Sequence, residues 1–202
     1  TARKLIGAAK RAGADAVKFQ MFRIKDLYAV EVFCKARKID PAGFRAALAK
    51  YETPPSWTRP LLRAGANAGI PVFFTPFSPA AVREAARAGA PFMKIASGDM
   101  TYADLLAAAA RTHLPVIFST GLANPGEIHK ALATLTRAGA RDVLPLYCRV
   151  RYPFPEDRLE LDFIPRWTRR FRIPFGFSDH TIGVSAAATA VSLGAPLIEK
   201  HF

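Results

Sequence analysis

Two short clusters carry most of the chemistry this sequence can offer. The chain contains Ser178-Asp179-His180-Thr181 and, 21 positions later, Glu199-Lys200-His201-Phe202. Each cluster closes a short apolar run that reads as a buried strand. Histidines at the ends of successive strands are candidate ligands for a divalent metal. Side chains alternate between the two faces of a strand, so Glu199 and His201 share one face while Ile198, Lys200 and Phe202 take the other. Ser178 and His180 share a face in the same way.

The rest of the chain repeats this design. Residues 16–22, 71–77, 92–97, 115–120, 143–148, 174–180 and 196–202 form apolar stretches separated by helix-length segments rich in Ala, Leu and Arg. Seven strands alternating with helices predict a parallel α/β architecture, whose covered strands read as near-continuous apolar runs. Following one face of each strand collects Lys18 and Gln20, then Thr75, Lys94, Ser119, Ser178 with His180, and Glu199 with His201. An open sheet gathers functional groups at one switch point, whereas a closed barrel draws them from every strand, so a TIM (β/α)8-type barrel is expected. Buried Lys, Glu and His each carry a desolvation cost, and a ring of them reads as an active site.

Composition bounds the class. At 202 residues and 50% hydrophobic content, one domain over residues 1–202 is the expectation. No run approaches the ~18 apolar residues of a membrane span, and residues 1–13 read as an amphipathic helix without a signal-peptide pattern, so a cytoplasmic protein is expected. Cys34 and Cys148 form no CxxC pair or disulfide framework. Cys148 could be a nucleophile, but a small buried hydrophobe is the plainer role. The net charge of +13 suits an anionic partner. Its arginines are strewn over many helices instead of forming one stripe, which argues against nucleic acid and leaves Lys18 and Lys94 as the inward charges for substrate.

Helix signals are clear in places. Asp40-Pro41 and the Thr53-Pro54-Pro55-Ser56 group read as helix starts within an extra excursion between the first two strands. Residues 101–112, 124–138 and 181–193 are helix candidates, with Gly139 and Gly194 as terminators. Tyr152-Pro153-Phe154-Pro155 reads as a rigid extended loop. A barrel of eight strands needs one more than these runs supply, and the last run ends at Phe202, so the chain reads as beginning after the first strand and stopping at the eighth.

Taken together these blocks resemble the sialic acid synthase family: N-acetylneuraminate synthase and its relatives making legionaminic acid, pseudaminic acid and spore-coat sugars. The matching segments are Gly13-Ala14-Asp15-Ala16-Val17-Lys18-Phe19-Gln20, Thr75-Pro76-Phe77, Lys94-Ile95-Ala96-Ser97-Gly98-Asp99, Ser119-Thr120-Gly121, Tyr152-Pro153, Ser178-Asp179-His180-Thr181-Ile182-Gly183, and Leu193-Gly194-Ala195 leading to Glu199-Lys200-His201-Phe202. The resemblance implies condensation of phosphoenolpyruvate with the open-chain aldehyde of an N-acylated hexosamine, giving a nine-carbon 2-keto acid and phosphate. It implies His180 and His201 as ligands of a divalent metal, usually manganese, with magnesium or cobalt as alternatives. Lys18, Gln20, Thr75, Lys94, Ser97, Ser119, Tyr152, Ser178 and Glu199 would then hold phosphoenolpyruvate and neighbouring substrate, and an intact protein would form a homodimer. Lys18, Lys94, His180 and His201 are the expected catalytic set.

The sequence departs from that family at three points. Neither the first-strand acid and Asn-His pair nor the C-terminal antifreeze-like domain falls within these 202 residues, and Val150 stands between two arginines where the family usually places Ser or Asn. Two other readings compete. A lysine inside a barrel strand, such as Lys94, is what a Schiff-base pyruvate aldolase needs, although two adjacent-strand histidines argue against it. A degenerate, non-catalytic barrel is the other. Asp179 is expected either to orient His180 or to cap the following helix, and Lys200 to pair with a helix. His113 and His129 have no expected role in the site.

Overall fold

A computed structural model describes residues 1–202. The chain divides into two compact units, Thr1–Met93 and Lys94–Phe202, the boundary falling within the third strand.

The first unit contains α1 (Ala2–Arg11), β1 (Val17–Met21), α2 (Ile24–Leu27), α3 (Val30–Arg37), α4 (Pro41–Ala49), α5 (Thr58–Ala68), β2 (Val72–Pro76), α6 (Pro79–Ala88) and the start of β3 (Met93–Ile95). Strands β1 and β2 are parallel, with Val17 opposite Val72 and Gln20 opposite Thr75. Both expected helix starts in this unit have a physical cause. Asp40 accepts hydrogen bonds from the Ala42 and Gly43 amides and is followed by Pro41, while a 3-10 turn at Pro55–Trp57 leads into α5. The excursion after β1 has its own small core of Ile24, Val30 and Cys34, closed by Tyr28, Phe33 and Phe44 with ring centroids 5.2–5.3 Å apart. Buried Arg23 anchors it through two bonds to Glu84, at 2.9 and 2.8 Å, and Thr58 donates to the same carboxylate at 2.7 Å.

The second unit holds the rest of β3, then α7 (Ala103–Ala110), β4 (Val116–Ser119), α8 (Pro125–Arg137), β5 (Val143–Cys148), α9 (Phe163–Phe171), β6 (Gly176–Asp179), α10 (Ser185–Ser192) and β7 (Ile198–Lys200). Strands β4 to β7 pair in parallel and in chain order, with Ser119 opposite Leu146, Cys148 opposite Ser178, and Ser178 opposite Glu199. Asn124 and Glu127 form a reciprocal capping box at the start of α8. Gly139 and Gly194 end their helices at φ of 100° and 94°, where a Cβ would be strained. Tyr147 packs its ring between Phe163 and Phe177, at 5.6 and 5.9 Å, joining β5 and β6 to α9.

The seven strands and their intervening helices bear out the α/β, TIM-type expectation, with seven strands where a full barrel has eight. Most observed elements are a residue or two shorter at each end than expected, and the largest difference is at the start of the last helix. The last helix begins at Ser185 and not at Thr181, because residues 181–184 form a turn held by the Asp179 carboxylate.

Gly176 shows how closely β6 is packed. A Cβ there would lie 2.6 Å from Leu146 Cδ2 and 2.7 Å from the Leu197 carbonyl oxygen, and the latter is backbone that cannot swing aside. Gly176→Ala is expected to destabilise the protein by about 1–3 kcal/mol, the usual cost of overpacking. Denaturant titration of the variant checks this, and an unchanged midpoint would mean that β6 and β7 separate freely.

Candidate functional site

The site in the second unit is built from the C-terminal parts of its strands and the turns that follow. Lys94, the middle residue of β3, is only 3% exposed and donates to Glu199 Oε2 at 2.7 Å. Ser178 Oγ donates to the same oxygen at 2.8 Å. Strand register explains the second contact, since Ser178 and Glu199 are direct partners across β6 and β7. The face parity read from the sequence therefore holds for Lys94, Ser178 and Glu199. An ammonium held this way is a fixed positive charge, and a nucleophilic amine at Lys94 would first have to break the ion pair.

Around this group the backbone closes in. Ser97 Oγ accepts from the Gly121 amide at 3.0 Å. A Cβ on Gly121 would lie 2.7 Å from Val150 Cγ2, 3.0 Å from Cys148 Sγ and 3.1 Å from Ser97 Oγ, so only glycine fits. Burial pushes the Cys148 thiol up from its ordinary value, against opposing hydrogen bonds from Ser97 and Ser178. It is held as a neutral thiol, unsuited to nucleophilic attack. Ser119 Oγ, at the end of β4, is buried and has no hydrogen-bond partner in the protein. A buried hydroxyl left in that state is explained by a ligand or water that completes it.

The two expected metal ligands do come together. The His180 and His201 ring centroids are 5.4 Å apart, and Tyr152 lies against both, at 4.1 Å from His180 and 5.4 Å edge-on to His201. His180 Nδ1 lies 2.8 Å from the Arg149 carbonyl oxygen. A carbonyl oxygen only accepts, so Nδ1 carries the proton and Nε2 the lone pair. Burial lowers the His180 pKa from its ordinary value, with the Arg149 carbonyl opposing, so the ring is neutral near pH 7. No third His, Cys, Asp or Glu completes a metal-binding group with the pair.

Asp179 does not cap the last helix, whose N-cap is Val184, and instead holds the turn that precedes it. Its Oδ1 accepts from the amide and hydroxyl of Thr181, at 2.8 and 2.7 Å, and its Oδ2 from Lys200 at 2.5 Å. Lys200 thus pairs with the neighbouring strand and not with a helix, as the sequence had suggested. The partnership makes sense because the two residues are register partners on the face away from the site. Its effect is to fix the backbone immediately after His180.

In the first unit, Lys18 is half-buried at the second position of β1, Gln20 is exposed near its end, and Thr75 lies buried opposite Gln20 with its Oγ1 unpartnered. His113 and His129 stand apart from the site, His113 facing the Gly139 carbonyl at 3.4 Å and His129 on the exposed side of α8. No helix is long and apolar enough to cross a membrane.

Two features were given no role from the sequence. One is the Arg149 carbonyl, a backbone atom. The other is Asp99, in the turn after β3, whose carboxyl is pushed up to about 6 by burial. An acid whose folded pKa is raised favours the fold while protonated, so its stabilising contribution is present below about 3.8 and lost as pH rises through 6. Asp99→Asn is therefore expected to stabilise the protein above pH 6, by about 1 kcal/mol after allowing for partial solvent screening, or ~2–4 °C in Tm. At pH 4 the gain should shrink toward zero. Thermal melts at the two pH values check this, and an equal gain at both would rule out the buried acid as its source.

Residues 5–202 match the model of the NeuB family. The N,N'-diacetyllegionaminic acid synthase of Campylobacter jejuni is 34% identical over all of this chain and 62% of its own length. The pseudaminic acid synthase of Helicobacter pylori is 32% identical over all of this chain and 60% of its own. The chain thus spans about three fifths of the length of these curated relatives. Among solved structures, the N-acetylneuraminic acid synthetase of Leptospira borgpetersenii, crystallised with citrate, superposes with a TM-score of 0.86 at 29% identity, covering all of this chain and 67% of that one. A match along nearly the whole sequence and a shared strand-and-helix order lead to one conclusion: the chain belongs to the NeuB family.

Proposed function

We propose that the protein containing this chain condenses phosphoenolpyruvate with the aldehyde of an N-acylated hexosamine to give a nine-carbon 2-keto sugar acid. The observation that carries the reading is the buried Lys94–Glu199–Ser178 group in the same unit as the His180–His201 pair. Phosphoenolpyruvate brings a carboxylate and a phosphate, and a desolvated ammonium flanked by hydroxyls is the complement of such an anion. Glu199 would repel that substrate if it met it directly. Its part is to hold Lys94 and Ser178 in place, with Ser97 in the turn after β3 and Ser119 at the end of β4 offering hydroxyls and Tyr152 as a further contact.

In the proposed reaction a C–C bond forms between C3 of phosphoenolpyruvate and the aldehyde carbon, water adds at C2, and the C2–O bond to phosphate breaks. Holding both reactants in line removes much of the entropic barrier to a two-substrate step. His180 and His201 suit a divalent metal, for which manganese is our candidate, because both rings stand together and His180 presents a lone pair at Nε2 while its Nδ1–H donates to the Arg149 carbonyl. Such an ion would act as a Lewis acid on the sugar aldehyde, with substrate or water oxygens completing its shell. The protein's own part is to orient the imidazoles and to fix the anion.

Names of the relatives support this substrate class, since those proteins are synthases of legionaminic, pseudaminic and N-acetylneuraminic acids. The test is phosphate release from phosphoenolpyruvate with N-acetylmannosamine and manganese, using the full reading frame that contains this chain. Formation of a 2-keto acid with the mass of both substrates plus water, less phosphoric acid, supports the reading. Turnover of phosphoenolpyruvate without a sugar, or of pyruvate in its place, would overturn it.

A further inference from the structure

The residue between Cys148 and Val150 has a job that its surface position conceals. Arg149 follows β5 and turns its side chain back onto the outer face of that strand, away from the site. Its Nε donates to Tyr147 Oη at 3.1 Å, its guanidinium pairs with Glu160, and it lies over the Tyr147 and Phe163 rings at 5.9 and 5.8 Å. Tyr147 is 2% exposed and locked among aromatic rings, so the brace is tied to a rigid point. The carbonyl of the same residue faces the opposite way, to His180 Nδ1 at 2.8 Å, and also accepts the Arg151 amide at 3.2 Å.

A second group competes for that nitrogen. Cys148 Sγ stands 3.9 Å from His180 Nδ1. A thiol can donate to an imidazole nitrogen, and if it did so the ring proton would move to Nε2 and the lone pair would turn toward the sulfur. The choice between the two tautomers rests on whether the Arg149 carbonyl stays within hydrogen-bond reach of Nδ1.

We infer that Arg149 is a positioning residue: its side-chain brace to Tyr147 and Glu160 fixes its own carbonyl, which selects the His180 tautomer with the lone pair on Nε2 and excludes the one that Cys148 would impose. The inference rests on the reading of His180 as a metal ligand only for its consequence, not for its geometry. A second tie, from the Phe154 amide to the His180 carbonyl at 2.8 Å, holds the far end of the loop, so cutting the brace should free the Arg149 carbonyl without unfolding the segment.

The test reads the tautomer directly in metal-free protein by 15N NMR of the histidine rings at pH 8, with His180 assigned by comparison with His180→Gln. Wild type should show the proton on Nδ1. Arg149→Ala and Glu160→Gln should shift it toward Nε2, and adding Cys148→Ala to Arg149→Ala should lessen that shift by removing the competing donor. Manganese affinity should follow, falling about 10-fold or more when the tautomer changes, the usual cost of losing a group that orients a ligand. Arg149→Lys, which retains a cation for Glu160, should lie between wild type and Arg149→Ala. Glu160→Gln leaves every buried side chain in place and keeps the test valid if Arg149→Ala folds poorly. A wild-type proton on Nε2, or variants that leave the tautomer unchanged, would overturn the inference. Absence of manganese binding by wild type with the tautomer shifts intact would instead remove the metal reading and leave the positioning role standing.

Discussion

Lys94→Ala is expected to weaken phosphoenolpyruvate binding by ~100-fold or more, and condensation with it. Truncating one member of a buried, hydrogen-bonded charge pair costs about 2–5 kcal/mol, and 2.7 kcal/mol is already a factor of ~100 in affinity. Two effects add in the same direction, because the variant removes the ammonium that meets the anion and leaves the Glu199 carboxylate to repel it. The same loss should strain the fold, since Glu199 Oε2 would lose the ammonium that it now accepts from alongside the Ser178 hydroxyl. A double variant, Lys94→Met with Glu199→Gln, separates the two consequences. It should recover much of the stability while leaving the anion unbound. Recovery of tight phosphoenolpyruvate binding in the double variant would show that Lys94 serves the fold alone. Borohydride treatment in the presence of pyruvate adds a chemical check: irreversible labelling of Lys94 would mean a Schiff base, and the condensation proposed here would have to be abandoned.

How much of this could be read before the structure depends on what kind of atom is involved. Strand runs and face parity were open to inspection because side chains alternate with period 2, so Lys94, Ser178 and Glu199 could be assigned to one face from spacing alone. The pairing of His180 with His201 followed in the same way from adjacent strands. Helix starts at Asp40-Pro41 and Asn124-Pro125 were readable because a capping side chain and a proline leave a local signature. What stayed hidden is set by contacts between distant segments. Lys200 was expected to reach a helix and instead meets Asp179, because parity says which face a residue takes but not what stands there. Cys148 looked like packing, and its buried, protonated state agrees, yet its nearness to Gly121 and His180 depends on how the turns after β4 and β6 fold over it. The Arg149 carbonyl belongs to the backbone and has no residue type to betray it.

The second large effect concerns the imidazole pair. His180→Ala and His201→Ala should each lower manganese affinity by ~100-fold or more, and calorimetric titration in the absence of substrate should show near-complete loss in either. The size follows from the kind of ion. Manganese stands at the weak end of the divalent series for nitrogen ligands, so a single imidazole contributes too little to hold it and the two rings must act together. With two nitrogen donors in a preset arrangement, the wild-type protein should bind cobalt and zinc more tightly than manganese, in that rising order, even if manganese supports the reaction best. The two variants should differ in one respect. His180 carries the hydrogen bond to the Arg149 carbonyl and the closer contact with Tyr152, so His180→Ala should also loosen the 149–154 loop and speed its amide exchange, whereas His201→Ala should leave that loop protected. Manganese binding of equal strength in wild type and both variants would place the ion elsewhere and remove these histidines from the chemistry.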